Sequence, residues 1–322
     1  MNADAMLRDR VQEALGREPG AAPAITGLTR ATASASSSYR TELLTLELAD
    51  GAELQVFLKD FGTATHRKEG MRARRQRELS VYRDLLAGAD LGTPRYLGAV
   101  WDEPARRFWL LLEHVEGQSL RRFGFGHWLE AARWLGRLQG HAARIDLAGA
   151  GFLVEHDAGF FASVAERALF AMRAVSPPLG ARLAGALRDY DEVVALMAAE
   201  PATLVHGHFR PHNIVVRPGA AARSLCVIDW EESARGSPLY DLAYLTDGFD
   251  PPRLGTLLDG YEEEAARAGR PARGRDEMLR VLHSLYMHRN LKTLTKAQGD
   301  GFSSEGLAGL VERTVDLAGR VA

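Results

Sequence analysis

Cysteine is almost absent from this sequence, since the 322 residues include only Cys226. A single thiol excludes an internal disulfide and any metal site built from several cysteines. An uninterrupted apolar run of the ~18–20 residues needed to span a bilayer is also missing. The charged and polar N-terminus lacks the apolar core of a signal peptide. These absences predict a cytoplasmic protein that has no membrane as a partner.

An excess of either charge is missing as well. The chain carries 40 Lys+Arg against 42 Asp+Glu, and this balance argues against a general nucleic-acid-binding protein. Lysine is scarce within that total, because only Lys59, Lys68, Lys292 and Lys296 are lysines. A bias toward arginine codons would explain the shortage. Each remaining lysine still raises the question of what arginine could not do at that position.

The apolar pattern divides the chain into a strand-rich first third and a mainly helical remainder. Strand-like runs are predicted at 43–48, 54–59, 96–100, 108–113, 215–216 and 225–228. An Asp-Gly pair between the first two runs is typical of a hairpin turn. Helical stripes are predicted near the N-terminus, over 69–87 and over 128–144, as one or two helices within 160–199, and from 239 onward.

These elements predict an α+β fold with two lobes. Residues 1–113 would form a small lobe with an antiparallel sheet and one main helix. Residues 114–119 would be the hinge. Residues 120–322 would form a larger, mainly helical lobe.

Three short motifs follow one another in the second half of the chain. The sequence LVHGHFRPHNIVV spans 204–216, VIDWE spans 227–231, and GSPLYDLA spans 236–243. This set resembles the aminoglycoside phosphotransferase and choline kinase-like family, a branch of the protein-kinase-like fold. The family pattern is H-G-D-x-x-x-x-N, then I-D-W-E, then G-x-P-x-x-D-L-A. The resemblance covers roughly residues 25–300, and it implies ATP (or GTP) and Mg²⁺. It also implies that the lobe at 1–113 binds the nucleotide and that the lobe at 120–322 carries the catalytic and acceptor-binding residues.

The resemblance implies roles for four side chains. Lys59 would grip the nucleotide phosphates from the end of a strand, with Glu78 as its ion-pair partner. Asn213 and Asp229 would hold Mg²⁺ through oxygen atoms, as hard metals prefer. The alternatives are a solvated strand-end lysine, a surface glutamate paired with Arg83 or its neighbours, and an ordinary turn aspartate.

The remaining nucleotide contacts follow from position alone. Ser36 and Ser37 lie where the family places the loop that covers the phosphates, and a flexible serine-rich loop is the alternative. The backbone at Glu113 and Val115 would bind the base at the hinge. Asp241 is predicted to be structural and to receive backbone N–H groups of the catalytic loop.

One residue departs from the family pattern, because His208 stands where the family has its catalytic aspartate. A neutral imidazole can accept a hydroxyl proton near pH 7, so His208 can serve as the base. The alternatives are a pseudokinase that only binds nucleotide or ligand, a site turned to another reaction, or an engineered change. A zinc or iron site of His206, His208 and His212 is a further alternative.

The function predicted from these residues is ATP-dependent phosphorylation of a hydroxyl on a small molecule, an antibiotic or a metabolite. Loss of the aspartate removes one negative charge, which disfavours a polycationic aminoglycoside as acceptor. Two charged segments stay outside this scheme, the basic run over 66–77 and the acidic residues 262–264. Both are interpreted as solvated helix faces, with contact to an anionic partner and to the acceptor as the respective alternatives. Tyr286, His288 and Arg289 are candidates on the acceptor side.

Overall fold

The computed structural model describes residues 3–16, 24–33, 38–66, 69–219, 224–299 and 301–321. The chain divides into two compact units. The first unit combines Met1–Leu120 with His212–Glu232, and the second combines Arg121–Pro211 with Ser233–Ala322.

The described residues form eleven strands and ten α-helices. The strands are β1 (Ile25–Thr32), β2 (Tyr39–Leu48), β3 (Glu53–Ala64), β4 (Tyr96–Asp102), β5 (Arg107–Glu113), β6 (Gln118–Ser119), β7 (Val154–Glu155), β8 (Thr203–Val205), β9 (Ile214–Val216), β10 (Leu225–Val227) and β11 (Ala234–Gly236). The helices are α1 (Ala3–Leu15), α2 (Met71–Ser80), α3 (Phe125–Ala142), α4 (Ala158–Val175), α5 (Pro177–Ala186), α6 (Tyr190–Ala198), α7 (Tyr240–Thr246), α8 (Pro251–Arg267), α9 (Arg275–Leu294) and α10 (Ser304–Val321).

The first unit is built on a five-stranded antiparallel sheet in the order β1-β2-β3-β5-β4. The predicted hairpin turn joins β2 to β3. Gly51 adopts a φ of 83° there, and Asp50 accepts a hydrogen bond from the backbone N–H of Ala52 at 3.0 Å. A left-handed residue and an Asx turn are the features that make an Asp-Gly pair effective in a tight turn.

One face of this sheet is sealed by α1. Period-2 alternation turns Leu44 and Leu46 of β2 to the same face, and they pack with Val56 of β3. Leu7 and Val11 of α1 complete this buried cluster. The N-terminal helix therefore forms part of the core of the first unit.

The helix predicted over 69–87 is shorter and ends differently. Regular α-helix stops at Ser80, and a π-helical turn continues over Val81–Leu85. The predicted apolar stripe is nevertheless buried, because Leu79, Tyr82 and Leu85 are all less than 9% exposed. The same first unit holds a small sheet in the order β10-β9-β6, so residues 118–119 of the predicted hinge belong to a strand.

The second unit is mainly helical, with one small sheet in the order β7-β11-β8. Helix α3 packs closely on α8 where α3 has a glycine. A Cβ at Gly136 would lie 2.6 Å from the carbonyl oxygen of Tyr261, so the helices approach too closely there for any side chain. Residues 160–199 contain three helices instead of the predicted one or two.

The structure confirms the predicted fold class. The antiparallel sheet of the first unit and the helical second unit form a mixed α+β fold of the protein-kinase-like type. Strand β1 is an edge strand that the sequence pattern did not predict, because its alternation is weak and Thr, Gly and Arg occupy it. Within the described ranges, no helix combines the length and the apolar character that crossing a membrane requires.

Candidate functional site

Three charged side chains of the first unit meet at Lys59. The Nζ atom of Lys59 lies 2.8 and 2.7 Å from the two carboxylate oxygens of Glu78 on α2. It also lies 2.8 Å from Oδ1 of Asp229, which follows β10. The three N–H donors of an ammonium group match these three oxygens. The predicted pair of Lys59 and Glu78 is thus present, and Asp229 joins it.

The backbone pairing explains why Lys59 points into this cluster. The prediction that Lys59 ends its strand is wrong, because β3 continues to Ala64 and Lys59 pairs with Thr41 on one side and Leu110 on the other. Its side chain is 7% exposed, so the solvated alternative is excluded. Both carboxylate oxygens of Glu78 accept from Lys59, whereas Arg83 forms an ion pair with Asp84 at 2.6 Å.

The electrostatic balance favours a charged lysine. Burial alone would lower the pKa of Lys59, but the carboxylates of Asp229 and Glu78 outweigh burial and raise it above its usual range. The Nζ atom also lies 5.6 Å from the ring centroid of Tyr39 and 5.7 Å from that of Phe61. Aromatic faces attract a cation, so they add to its stabilisation.

Asp229 occupies an unusual backbone position. Its φ is 68°, in the left-handed region that residues other than glycine seldom adopt. Residues held in such conformations cluster at functional sites, because the surrounding structure must stabilise them. Here the pairing of β9 with β10 positions the residue before Asp229, because the N–H of Ile228 donates to the carbonyl oxygen of Asn213 at 3.0 Å. Asn213 and Asp229 therefore lie at the same end of one hairpin.

A third carboxylate lies beside this cluster. Ligand atoms of Glu78, Asp229 and Glu231 all lie within 4.8 Å of one another, and Glu231 is buried. Glu231 is the last residue of the VIDWE motif, and the motif alone indicated no role for it. Its position two residues after Asp229 was the available signal. A donor set of carboxylate oxygens suits Mg²⁺.

The basic run on α2 is bound to the same region, which corrects its interpretation as a solvated face. Arg77 donates to the carbonyl oxygen of Glu231 at 2.7 Å. Arg74 lies 3.5 Å from the carboxylate of Glu231 and 3.1 Å from that of Glu232. The guanidinium of Arg75 lies 4.0 Å from the ring centroid of Phe108. Helix α2 therefore carries Glu78 and also holds the turn that follows Asp229.

The other predicted nucleotide contacts are only partly described. Ser36 and Ser37 lie outside the described residues. Glu113 ends β5, where its carboxylate accepts from the N–H of Arg95 at 3.1 Å and lies 3.5 Å from Arg217. Val115 follows β5 and is half-buried.

In the second unit, Asp241 organises the loop that carries His208. Its carboxylate accepts from the N–H of His206 at 2.6 Å and from the N–H of Gly207 at 3.0 Å. This confirms the structural role predicted for Asp241. Burial raises the pKa of Asp241 to about 7, while these hydrogen bonds oppose the shift. Phe209, which is fully buried, anchors the loop by stacking on Trp134 of α3.

His206 and His208 have different surroundings. His206 is fully buried, and its Nδ1 accepts from the N–H of His208 at 3.2 Å. This hydrogen bond holds the ring of His206 within the loop. The ring of His208 is half-buried and lies 5.8 Å from the ring of Tyr244, centroid to centroid.

The other candidate residues of the second unit differ in whether they have partners. Glu262, Glu263 and Glu264 pair with arginines of their own surroundings. Tyr286 shares a hydrogen bond of 2.6 Å with Thr246. His288 is 1% exposed, and neither of its ring nitrogens has a hydrogen-bond partner among the described residues.

A comparison with protein families identifies a match that covers most of the chain. The model described as the phosphotransferase enzyme family matches residues 45–279. This range contains Lys59, Glu78, Asn213 and Asp229, as well as the loop with His208.

Solved structures of the same kind share the fold. The GDP complex of aminoglycoside 2′-phosphotransferase-IIIa has a TM-score of 0.63 at 16% identity, covering 91% of this chain and 93% of that chain. The microcompartment-associated aminopropanol kinase has a TM-score of 0.52 at 16% identity, covering 98% of this chain and 95% of that chain.

Curated relatives match only a short segment. Acyl-CoA dehydrogenase family member 11 of Gallus gallus is 50% identical over 58 residues, which is 18% of this chain and 7% of that protein. Acyl-CoA dehydrogenase family member 10 of Mus musculus is 39% identical over 62 residues, which is 19% of this chain and 6% of that protein. The matched segments cover less than a tenth of either protein.

Proposed function

The chain belongs to the phosphotransferase enzyme family, and from that premise we propose that it transfers the terminal phosphoryl group of ATP or GTP to a hydroxyl of a small molecule. The observation that carries the proposal is the three-way contact of Lys59 with Glu78 and Asp229. Neighbouring structures were solved with GDP, and one is an aminopropanol kinase, which supports nucleotide use and an alcohol acceptor.

Lys59 would bind the nucleotide phosphates. All three of its N–H donors contact carboxylate oxygens in this structure, two from Glu78 and one from Asp229. A phosphate oxygen would replace Asp229 at Nζ, while Glu78 continues to orient the ammonium. Because Glu78 and Lys59 are both buried, their pairing keeps the ammonium in position when Asp229 turns to another ligand.

Asn213 and Asp229 would hold Mg²⁺, with Glu231 as a further oxygen donor close by. The bound ion would neutralise the charge that phosphate oxygens carry during transfer. Arg74 and Arg77 bind the turn after Asp229. Helix α2 would therefore hold the phosphate-binding pair and the metal-binding carboxylates at a fixed distance from each other.

His208 would orient the acceptor and receive its hydroxyl proton. The acceptor oxygen forms a bond to the terminal phosphorus as the bond from that phosphorus to the bridging oxygen breaks, and the nucleoside diphosphate leaves. Because the transition state of phosphoryl transfer is loose, positioning contributes more than proton removal. An imidazole in place of a carboxylate is therefore compatible with turnover.

A non-catalytic nucleotide-binding protein is the second candidate function. The observation that favours it is His208 itself, since the family pattern has an aspartate there. This candidate predicts nucleotide binding without phosphate transfer.

The first experiment measures nucleotide binding by thermal shift with ATP and Mg²⁺. A ligand at 100 times its Kd raises the free energy of unfolding by about 2.7 kcal/mol. We expect a shift in the wild type that Lys59→Met abolishes. Lys296→Met, which changes an exposed lysine, is the matched control and should behave as the wild type. Absence of any shift in the wild type would contradict both candidate functions.

The second experiment separates the two candidates by turnover. Transfer of labelled phosphate from ATP is measured on a panel of hydroxylated metabolites with the wild type, His208→Ala and His208→Asp. Activity in the wild type that His208→Ala reduces supports the phosphotransferase. Activity that arises only in His208→Asp supports the non-catalytic protein.

A further inference from the structure

Three basic side chains and two rings of the second unit lie around the ring of Tyr244; one of the rings is Tyr240, at 5.6 Å between centroids. The guanidinium carbons of Arg210 and Arg289 lie 5.3 and 5.6 Å from the ring centroid, and Nζ of Lys292 lies 6.0 Å from it. The other ring is His208, at 5.8 Å between ring centroids. We infer that this Tyr244 cluster binds an anionic group, a carboxylate or a phosphate, on the acceptor whose hydroxyl His208 faces. The inference rests on the proposed function.

Arg210 is the residue that the anion would contact. Its Nε is buried and has no hydrogen-bond partner among the described residues, and no carboxylate in the described ranges forms an ion pair with its guanidinium. A buried guanidinium nitrogen without a partner is costly, because a lost hydrogen bond to a charged group is not replaced by water. The backbone N–H of Arg210 donates to the carbonyl oxygen of His208 at 2.7 Å, which ties its position to that of His208.

Two carboxylates lie near the three basic side chains of the cluster. Asp247 pairs with Arg289, whose N–H also donates to the carbonyl oxygen of Ala243 at 3.1 Å. Asp241 interacts with the charge of Lys292 and accepts the backbone N–H groups of His206 and Gly207, so Arg210 is the basic residue to which neither carboxylate is bound. Burial lowers the pKa of Arg289 to about 10, and repulsion from Arg210 adds to this shift. Cations that repel one another in a partly buried site gain stability when an anion joins them.

The acidic residues that could attract a cationic acceptor are engaged elsewhere. Glu263 and Glu264 on α8 both pair with Arg267, at 2.5 Å each. Glu262 lies 3.6 Å from Arg275. The ring that lies 5.8 Å from His208 therefore has three basic side chains around it, and the aspartate of the family pattern is absent from the loop.

Arginine suits this role better than lysine would. Its planar guanidinium offers five N–H donors in a fork that matches both oxygens of a carboxylate or two oxygens of a phosphate. A ring beneath the guanidinium leaves the edge of the fork free, because a cation–π contact uses the face.

The test uses the full chain and four compounds with one hydroxylated three-carbon skeleton. They are glycerate, glycerol phosphate, glycerol and aminopropanediol, and they differ only in whether the end group is a carboxylate, a phosphate, neutral or cationic. Binding of each is measured by isothermal titration in the presence of ADP and Mg²⁺. The first two compounds distinguish the carboxylate from the phosphate as the recognised group.

We expect at least one anion to bind about tenfold more tightly than glycerol, a difference of about 1.4 kcal/mol, and aminopropanediol to bind no better than glycerol. Arg210→Gln should remove this preference, and Arg210→Lys should keep part of it. Arg253→Gln is the matched control, because the guanidinium of Arg253 also lies over a ring, 5.7 Å from the centroid of Phe125, but near its own carboxylate, Asp250. It should leave the preference unchanged.

Equal binding of the four compounds, tightest binding of aminopropanediol, no measurable binding of either anion, or a preference that Arg210→Gln leaves intact would each overturn the inference. None of these results depends on turnover. The proposed function is judged separately by the ATP shift and its loss in Lys59→Met, so the two can fail independently.

Discussion

The cluster at Lys59 and the cluster at Tyr244 have opposite imbalances of charge. Around Lys59, one ammonium meets Glu78 and Asp229, with Glu231 close by. Around Tyr244, three basic side chains gather, and Arg210 has no ion-pair partner among the described residues. We propose Mg²⁺ as the ligand of the first cluster and an anionic acceptor group as the ligand of the second. The comparison is therefore between a cluster rich in carboxylates and a cluster rich in basic side chains.

The strongest test of this comparison removes a carboxylate from the first cluster. Asp229→Asn should lower phosphate transfer by roughly 10³-fold, because loss of one charge-stabilising group at a transition state has effects of that order. It should also weaken the binding of Mn²⁺, measured by electron paramagnetic resonance. Asp50→Asn, in an exposed hairpin turn, is the control. A variant that keeps a tenth of the wild-type rate would contradict the metal-binding role.

The second test leaves a charge unpaired inside the first cluster. Lys59→Met should lower the free energy of unfolding by about 3–5 kcal/mol, because it leaves the buried Glu78 without its cation. The double variant with Glu78→Met should recover much of that loss. Urea unfolding of the two single variants and the double variant measures the coupling. A loss in the double variant equal to the sum of the two single losses would show that the pair is not coupled.

The third test addresses the second cluster through His208. His208→Ala should lower the transfer rate by roughly 10²–10⁴-fold, the usual contribution of a general base. With a histidine base, the wild-type rate should rise with pH as the imidazole loses its proton and then level off. His208→Asp should level off at lower pH. Identical pH profiles of the wild type and His208→Asp would exclude His208 as the titrating base.

The smallest expected effect is on the pH dependence of stability, and it concerns His288. This residue precedes Arg289 and would add a positive charge beside the Tyr244 cluster if it were protonated. Burial lowers the pKa of His288 to about 3, and repulsion from Lys292 and Arg167 adds to this shift. The unfolded chain therefore binds one more proton than the folded chain between about pH 3 and 6.5, so stability falls as pH falls through this range.

His288→Phe should make this dependence shallower. The wild type should lose about 1 kcal/mol more than the variant between pH 7 and 5.5, because one pKa unit corresponds to about 1.4 kcal/mol. Urea unfolding at both pH values measures the difference. Phenylalanine suits the position, since His288 is surrounded by Phe160, Phe161 and Tyr240. His66→Ala changes an exposed histidine and serves as the control. A His288→Phe slope equal to that of the wild type would mean that His288 titrates while folded.

Much of the fold could be predicted because local patterns and the fold agree. The Asp-Gly turn and the alternation of Leu44 and Leu46 indicate a hairpin, and the hairpin is present. Strand β1 could not be predicted, because its pairing with β2 and not its own alternation stabilises it. The π-helical turn after Ser80 likewise depends on packing, since the side chains there continue the apolar stripe of a regular helix.

The sequence by itself determined the family motifs, the prediction that Lys59 and Glu78 pair, and the substitution at His208. The order and spacing of the motifs are sufficient for these, because they can be compared with the family pattern position by position. Only the tertiary structure decided that Glu231 joins Asp229, that arginines of α2 hold the same turn, and that Arg210, Arg289 and Lys292 gather around Tyr244. Those groupings join distant segments, since Arg74 and Glu231 are 157 residues apart. No local pattern records them, because they result from the packing of each unit.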